Sequence, residues 1–141
     1  MRRMVEEHLY WAAFFDRWID DDIWSSYKPI LFGICTPQEY EVAPDQIREI
    51  ARQYIYGQGL GRHSRAEIYE LGNADTSALA AYLGDQPYFM GREPTSLDAT
   101  MYGFLAHLIY AGYESPLNSH ARSFVNLRSY CERMRTSYYS S

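Results

Sequence analysis

The 141-residue chain is poor in cysteine, in lysine and in long apolar runs. Its two cysteines, Cys35 and Cys131, lie far apart, and no secretion signal opens the sequence, so we expect reduced thiols in a cytoplasmic protein. Charged residues or proline interrupt every apolar segment, which argues against direct insertion into a membrane. The net charge of −5 and the scattered arginines argue against a nucleic-acid surface.

Patterns of catalytic or metal-binding residues are also missing. The four histidines share no ligand spacing with one another or with the cysteines, so we predict no metal site. The glycines at positions 57, 59 and 61 lack the strand and the lysine of a phosphate loop and are interpreted as a helix stop. No nucleophile stands beside an activating base, so we predict no catalytic residue in this chain.

A strong helix start is present in the segment 93–105. Thr95 and Asp98 have the three-residue spacing of a capping box, in which each side chain satisfies a backbone N–H of the first helical turn. Apolar residues then recur at helical spacing: Leu97, Met101, Phe104, Leu105 and Leu108. Small residues keep the other sides open to close packing, so we predict a buried helix from Leu97 to about Tyr110.

The first helix is predicted over about Arg3 to Asp20. Its rings fall within an arc of about 100°, which predicts a packing face. This face comprises Trp11, Phe14, Phe15 and Trp18. Charged residues fall towards the opposite side and are expected in solvent: Glu6, Asp16, Arg17 and Asp20.

Residues 27–40 contain two prolines and a glycine and are predicted to form a connection, with at most one short turn at Thr36. One helix is predicted over 45–56 and another from a Ser64–Glu67 capping box to about residue 83. The apolar residues of the first fall on one side: Ile47, Ile50, Ala51, Tyr54 and Ile55. A short helix opens at Ser115-Pro116, and a last one covers 126–137. No strand pattern appears, so the predicted fold is all-α.

Four ordered segments resemble the all-helical C-terminal domain of glutathione S-transferases. These are the Thr95–Asp98 box that opens the core helix, the closing segment 125–134, the first helix over 3–18, and the stretch 57–72. The last two are similar to the metaxin and failed-axon-connections-like subgroup. The resemblance implies a single glutathione S-transferase C-terminal-like helical bundle over residues 1–141, without the N-terminal thioredoxin-like domain of the family.

The resemblance implies two alternative functions. In the first, the chain is the helical half of a glutathione S-transferase-like protein and shapes a hydrophobic substrate pocket, while a thioredoxin-like domain binds glutathione and supplies the chemistry. The chain alone then holds no cofactor and is inactive. The first helix borders the substrate cleft in this family, which makes Tyr10, Phe14 and Arg17 the candidate substrate contacts. In the second, the chain is a non-enzymatic, metaxin-like protein-interaction module.

Subunit pairing is a further expectation from the family. Its members pair through their first helices, which implies a homodimer with Leu9, Tyr10 and Ala13 as candidate interface residues, away from the predicted packing face. A thioredoxin-like domain or another protein is the alternative partner.

Overall fold

The computed structural model describes residues 1–139 as a bundle of helices, with no strand among them. The first helix, α1, runs without a break through Arg2–Met4, the π-helical stretch Val5–Leu9, and Tyr10–Trp18. The other helices are α2 (Asp21–Phe32), α3 (Pro37–Gln58), α4 (Arg65–Leu83), α5 (Ser96–Ile109), α6 (Pro116–Ser123) and α7 (Val125–Met134), which a π-helical turn, Arg135–Tyr139, extends. The all-α prediction is confirmed. Within the described residues, no helix is both long and apolar enough to cross a bilayer.

The Thr95–Asp98 capping box forms as predicted and opens the buried helix α5. The backbone N–H of Thr95 donates to Asp98 Oδ2 at 2.8 Å, and the Thr95 hydroxyl donates to the same oxygen at 3.2 Å. The second carboxylate oxygen of Asp98 accepts from the backbone N–H of Phe89 at 2.8 Å. The side chains of Asp98 and Phe89 are buried. Asp98 therefore fixes the preceding loop as well as the helix start.

Two other predicted helix starts are also confirmed. The backbone N–H of Ser64 donates to Glu67 Oε2 at 2.8 Å in the box that opens α4. The hydroxyl of Ser115 accepts from the backbone N–H of Asn118 at 3.2 Å, and Pro116 stands at the first position of α6. Local cap chemistry thus sets where these helices begin.

The predicted connection over residues 27–40 is too long, because the helix α2 continues to Phe32 with Pro29 inside it and α3 begins at Pro37. Only residues 33–36 connect the two helices. A proline removes one backbone hydrogen bond, yet tertiary packing holds α2 against α1. The rings of Trp24 and Phe32 lie 5.9 and 6.5 Å from that of Trp18. At Thr36, the predicted short turn is a full capping box that opens the 22-residue helix α3.

Helix α3 buries only part of the side that was predicted. Ala51 and Ile55 are buried, whereas Ile47, Ile50 and Tyr54 are 40, 47 and 64% exposed. The charged Arg48, which lay outside the predicted side, is buried as well. Arg48 can be buried because its guanidinium donates to the two carbonyl groups that end α1, those of residues 18 and 19, at 2.8 Å each. A charged residue thus occupies the inner face and satisfies the orphan carbonyls of a neighbouring helix.

Helix α1 is also rotated from the prediction. Asp16 and Asp20 are buried, while three of the four rings assigned to the packing face, Trp11, Phe14 and Trp18, remain partly exposed. A helical wheel assigns charged residues to solvent unless buried partners are known, which is why the prediction was wrong for the two aspartates.

The buried carboxylates are satisfied by groups from α4 and from the loop between α5 and α6. Asp16 accepts hydrogen bonds from the hydroxyls of Tyr69 and Tyr113, each at 2.9 Å. Asp20 accepts from Arg65 Nε at 2.8 Å and from the Tyr69 hydroxyl. The single hydroxyl proton of Tyr69 therefore lies between two carboxyl groups. Burial raises the pKa of Asp16. A protonated Asp16 can donate to the Tyr69 oxygen, leaving the Tyr69 proton for Asp20.

The helices around Gly72 of α4 pack so closely that no side chain fits at this position. A Cβ atom there would lie 2.9 Å from the Cβ atom of Ala12 in α1 and 2.9 Å from Cδ1 of Leu117 in α6. Both distances are shorter than van der Waals contact. Gly72 therefore lets three helices approach one another closely.

Replacing Asp98 by Ala should lower the free energy of unfolding by about 2–4 kcal/mol, because the helix cap and the hydrogen bond to the buried Phe89 N–H are lost together. Chemical denaturation measures this, and Thr95→Ala and Asp98→Ala should be strongly coupled in a double-mutant cycle. The matched control is Glu67→Ala, which removes the acidic residue of an exposed capping box. This substitution should lower the free energy of unfolding by less. Equal losses, or simple additivity, would contradict the role given to Asp98.

The stability of Asp16→Asn relative to the wild type should rise as the pH increases above about 4. The raised pKa of Asp16 means that its carboxyl stabilises the fold fully below the unfolded-state value of about 3.9, and that this contribution is lost as the pH rises through the folded-state value. Asn keeps the hydrogen-bonding pattern of the protonated acid and does not ionise. Denaturation at several pH values tests this, with the exposed Asp85→Asn as control; a pH-independent difference would refute it.

Candidate functional site

A half-open groove of about 370 Å³ lies between α1 and α5. The α1 wall consists of Leu9, Tyr10, Ala13 and Arg17, and the α5 wall of Ala99, Thr100, Gly103, Phe104, His107 and Leu108. Apolar side chains form most of the lining. This groove is the candidate binding site, because apolar concave surfaces with a few polar groups are typical of small-molecule sites.

The α5 wall follows one face of the helix. Residues 100, 103, 104 and 107 recur at the three- and four-residue spacing that brings side chains to the same side. Gly103 leaves this wall open, since a Cβ atom there would meet no atom within 4 Å. The ring of Tyr10 meets that of Phe104 edge to face, with centroids 6.3 Å apart. The two helices therefore contribute an aromatic pair beside an open position.

A second cavity of about 250 Å³ adjoins the groove at Arg17 and His107, which line both. Its other lining residues are Tyr27, Ile30, Tyr110, Ala111, Gly112 and Tyr113. Two tyrosines of this cavity are already hydrogen-bonded, Tyr113 to Asp16 and Tyr110 to a glutamate of α7 at 3.3 Å. The site thus has an apolar compartment and a more polar one.

Arg17 lies at the junction of the two compartments. No hydrogen bond or ion pair satisfies its guanidinium among the residues that the structure describes, and its Nε atom is buried without a partner. The neighbouring Asp16 is directed into the core, so the next position along α1 faces the groove instead. Burial, and secondly the charge of Arg17, lower the pKa of His107. The junction is therefore cationic through Arg17 alone when His107 is neutral.

Two of the three predicted substrate contacts, Tyr10 and Arg17, line the groove. Phe14 does not line it. The ring of Phe14 packs 6.1 Å from the ring of Tyr10 and 6.1 Å from that of Trp18, and so contacts the groove wall through Tyr10. A substrate role for these residues stays a prediction.

Two of the three predicted interface residues are buried, although the helical wheel placed them on an outer face of α1. Leu9 exposes 1% and Ala13 exposes 8% of its surface, and both lie in the groove lining. Their assignment to an outer face of α1 is therefore wrong, because the outer side of the helix carries the partly exposed rings. Tyr10 alone of the three is more exposed. The subunit interface itself stays a prediction.

The α5 residues of the groove were not predicted from the sequence. Phe104 and Gly103 were interpreted as packing positions of a buried helix, and Thr100 and His107 were not singled out for binding. Their common helical face was visible in the spacing. The spacing could not show which helix would lie opposite that face, because this depends on the tertiary arrangement of α1 and α5.

Residues 72–134 match the family model described as "Glutathione S-transferase, C-terminal domain". This match covers α5 with its capping box, α6 and α7, together with most of α4. The chain is a glutathione S-transferase C-terminal-like helical bundle. The predicted resemblance is confirmed.

Three relatives extend this likeness along the chain. The isoprene-epoxide–glutathione S-transferase of Rhodococcus sp. (strain AD45) is 35% identical over 138 residues, which cover 96% of this chain and 58% of that protein. Failed axon connections of Drosophila melanogaster is 30% identical over 76% of this chain and 28% of its own length. Metaxin-2 of Mus musculus is 30% identical over 96% of this chain and 52% of its own length. No solved structure matches significantly.

The cysteines and the acidic residues add no second site. Cys35 and Cys131 are unpaired, and burial raises the pKa of the Cys131 thiol to about 12, which leaves it protonated at neutral pH. Among residues 1–139, no group of three or more His, Cys, Asp or Glu side chains is arranged to hold a metal ion. Location in the cytoplasm stays a prediction.

Two glycine-to-alanine substitutions should have opposite effects. Gly103→Ala should raise the free energy of unfolding by about 0.5–1 kcal/mol, because its Cβ meets open space and alanine favours the helix. Gly72→Ala should lower it by about 1–3 kcal/mol, since the added methyl group overpacks the contact with α1 and α6. Urea denaturation of both variants is the measurement. Destabilisation by Gly103→Ala would mean that the groove wall is closed at this position.

Proposed function

We propose that this chain supplies the hydrophobic substrate-binding half of a glutathione S-transferase-like protein. Tyr10 and Arg17 contact the substrate, Phe14 holds Tyr10 in position, and a thioredoxin-like domain binds glutathione. The groove between α1 and α5 is the observation that supports this function. On this proposal, the 141 residues shape specificity and do not activate the thiol.

The wall chemistry supports an apolar substrate. Leu9, Ala13 and Leu108 give the groove an aliphatic lining, and the Tyr10–Phe104 pair adds ring faces and edges for a flat molecule. Among the described residues, none that lines the groove is acidic. A neutral, compact, apolar molecule can therefore enter without desolvating a carboxylate.

The relative from Rhodococcus supports the enzyme class. Its name refers to isoprene epoxide and glutathione, and the shared region includes both walls of the groove. This chain spans about three-fifths of that protein, 58%, so the substrate and the reaction of the whole protein are proposals here.

The proposed groove can be tested with the neutral fluorescent probe N-phenyl-1-naphthylamine. We expect saturable binding to the wild type and a loss of at least about tenfold in affinity for Gly103→Leu, whose side chain fills the groove, whereas Gly103→Ala should bind nearly as the wild type does. Millimolar glutathione should leave the probe bound, since glutathione needs the thioredoxin-like domain. Equal binding by Gly103→Leu would refute the groove as the site.

The alternative function, a metaxin-like interaction module, is favoured by a separate observation on α3. Exposed Ile47, Ile50 and Tyr54 follow the half-buried Ala43 with the four-three-four spacing of a coiled-coil seam. We propose that this α3 stripe, residues 43, 47, 50 and 54, pairs with the same stripe of a second copy of the chain.

Self-pairing fits the charge distribution on α3. The charged residues within the stripe's length, at positions 45, 48, 49 and 52, lie about 130° or more round the helix from the centre of the stripe. Uncharged Gln46 and Gln53 flank it on the exposed side. Two identical stripes can therefore meet in an isologous contact without placing like charges together.

Light scattering should find a dimer of the wild type, a monomer of Ile50→Glu, and an unchanged dimer of Tyr10→Glu. The first substitution places a charge in the centre of the α3 stripe, whereas the second places it at the rim of the groove on α1. Disruption by Tyr10→Glu alone would instead support the first-helix interface expected from the family. A monomeric wild type would contradict both interfaces.

A further inference from the structure

The corner between α1 and α2, residues 16–22, contains four aspartates, and three of them pair with arginines of other helices. The pairs are Arg65–Asp20 at 2.8 Å, Arg65–Asp22 at 3.1 Å and Arg48–Asp21 at 2.6 Å. Asp16 is the exception: its side chain is fully buried, and no basic side chain among residues 1–139 forms an ion pair with it. A charge on Asp16 therefore lacks both solvent and a paired cation.

Asp16 relies on tyrosine hydroxyls instead. Its carboxyl group accepts from Tyr69 and from Tyr113, each at 2.9 Å, but the single hydroxyl hydrogen of Tyr69 also faces Asp20. When Asp16 is ionised, two buried carboxylates compete for that one hydrogen. A proton on Asp16 removes the competition, because the acid can then donate to the Tyr69 oxygen. Burial accordingly raises the pKa of Asp16.

The partners of Asp16 also hold α2 in place. The other oxygen of Asp20 accepts from the backbone N–H of Asp22 at 3.0 Å and caps α2. The ring of Tyr27 in α2 meets that of Tyr113 edge to face, with centroids 5.5 Å apart, and both rings line the second cavity. Asp16 is thus connected to the start of α2 through Asp20 and to the cavity wall through Tyr113.

We propose that the α1–α2 corner is a proton-operated latch, which is closed while Asp16 holds a proton and loosens when Asp16 ionises. This inference goes beyond the proposed function and needs no ligand. The ionised carboxylates of Asp16 and Asp20 repel each other, and admitting water to Asp16 relieves the repulsion. Tyr113 contacts Asp16 on one side and lines the second cavity on the other, so water enters from that cavity as Tyr113 and Tyr27 separate.

Other titratable or charged groups surround Asp16 on every element packed against it. They are Arg17 and Asp20 of α1, Asp21 and Asp22 of α2, Arg48 of α3, Arg65 and Tyr69 of α4, His107 of α5, and Tyr113 in the loop before α6. The arginines and tyrosines keep their charge state between about pH 4 and 9. Burial lowers the pKa of His107, which still changes charge within this range and needs a control.

Near-UV circular dichroism reports the latch, because the rings of Trp18 and Trp24 lie 5.9 Å apart across the corner. The wild type should show a one-proton transition between about pH 4 and 9 at constant far-UV signal. Asp16→Asn should keep the acid-form spectrum throughout, which separates Asp16 from the other aspartates. Tyr113→Phe should move the transition to higher pH, because it removes a donor that favours the ionised form. His107→Gln is the matched control and should leave the transition in place.

Hydrogen exchange of the wild type tests the latch without a substitution. The amides of Ile19, Asp20 and Trp24 donate to backbone carbonyls across the corner. Corrected for the intrinsic pH dependence of exchange, their protection should fall at least about tenfold through the transition, while residues 101–109 of α5 stay protected.

Three results would overturn the inference. The first is a wild type whose spectrum and corner protection stay constant over the whole pH range. The second is a transition that persists in Asp16→Asn or moves to lower pH in Tyr113→Phe, because either result places the titrating group elsewhere. The third is an equal loss of protection at the corner and in α5, which would mean global destabilisation and no local opening. Since no ligand is used, each result is independent of whether the groove binds an apolar molecule.

Discussion

The bundle depends most on the hydrogen bonds that the carboxylate of Asp98 accepts. One oxygen closes the capping box with Thr95, and the other holds the backbone of Phe89 in the preceding loop. The carbonyl of the same residue accepts from the Tyr130 hydroxyl of α7 at 2.9 Å. A loop, the central helix and the closing helix thus meet at one buried residue. Because α5 also forms a wall of the groove, the position of that wall follows from this cap.

A second constraint acts through two consecutive residues of α1. The side chain of Asp16 must face the core to reach its two tyrosine hydroxyls, and about 100° of rotation per residue then turns Arg17 towards the groove. The hydrogen bonds that fix the rotation of α1 therefore also determine which cation the groove presents. Stability and binding chemistry are coupled here by helical geometry.

The sequence was sufficient for features that depend on neighbouring residues. The helix starts at Thr95, Ser64 and Ser115 were predictable because a cap needs only side chains and backbone within one turn. The helix across Pro29 was not, since the packing of Trp24 and Phe32 against Trp18 depends on how α2 folds back onto α1. The burial of Asp16 and Arg48 was unpredictable for the same reason, because each depends on hydrogen-bonding partners supplied by other elements.

The groove and the α3 stripe lie on different helices, so the two proposed functions use different surfaces. The groove is lined from α1 and α5, whereas the stripe projects from the outer side of a helix whose inner side holds the C-terminal end of α1 through Arg48. A contact on the stripe therefore leaves the groove accessible. Binding an apolar ligand and pairing with a second copy are physically compatible, so evidence for one does not count against the other.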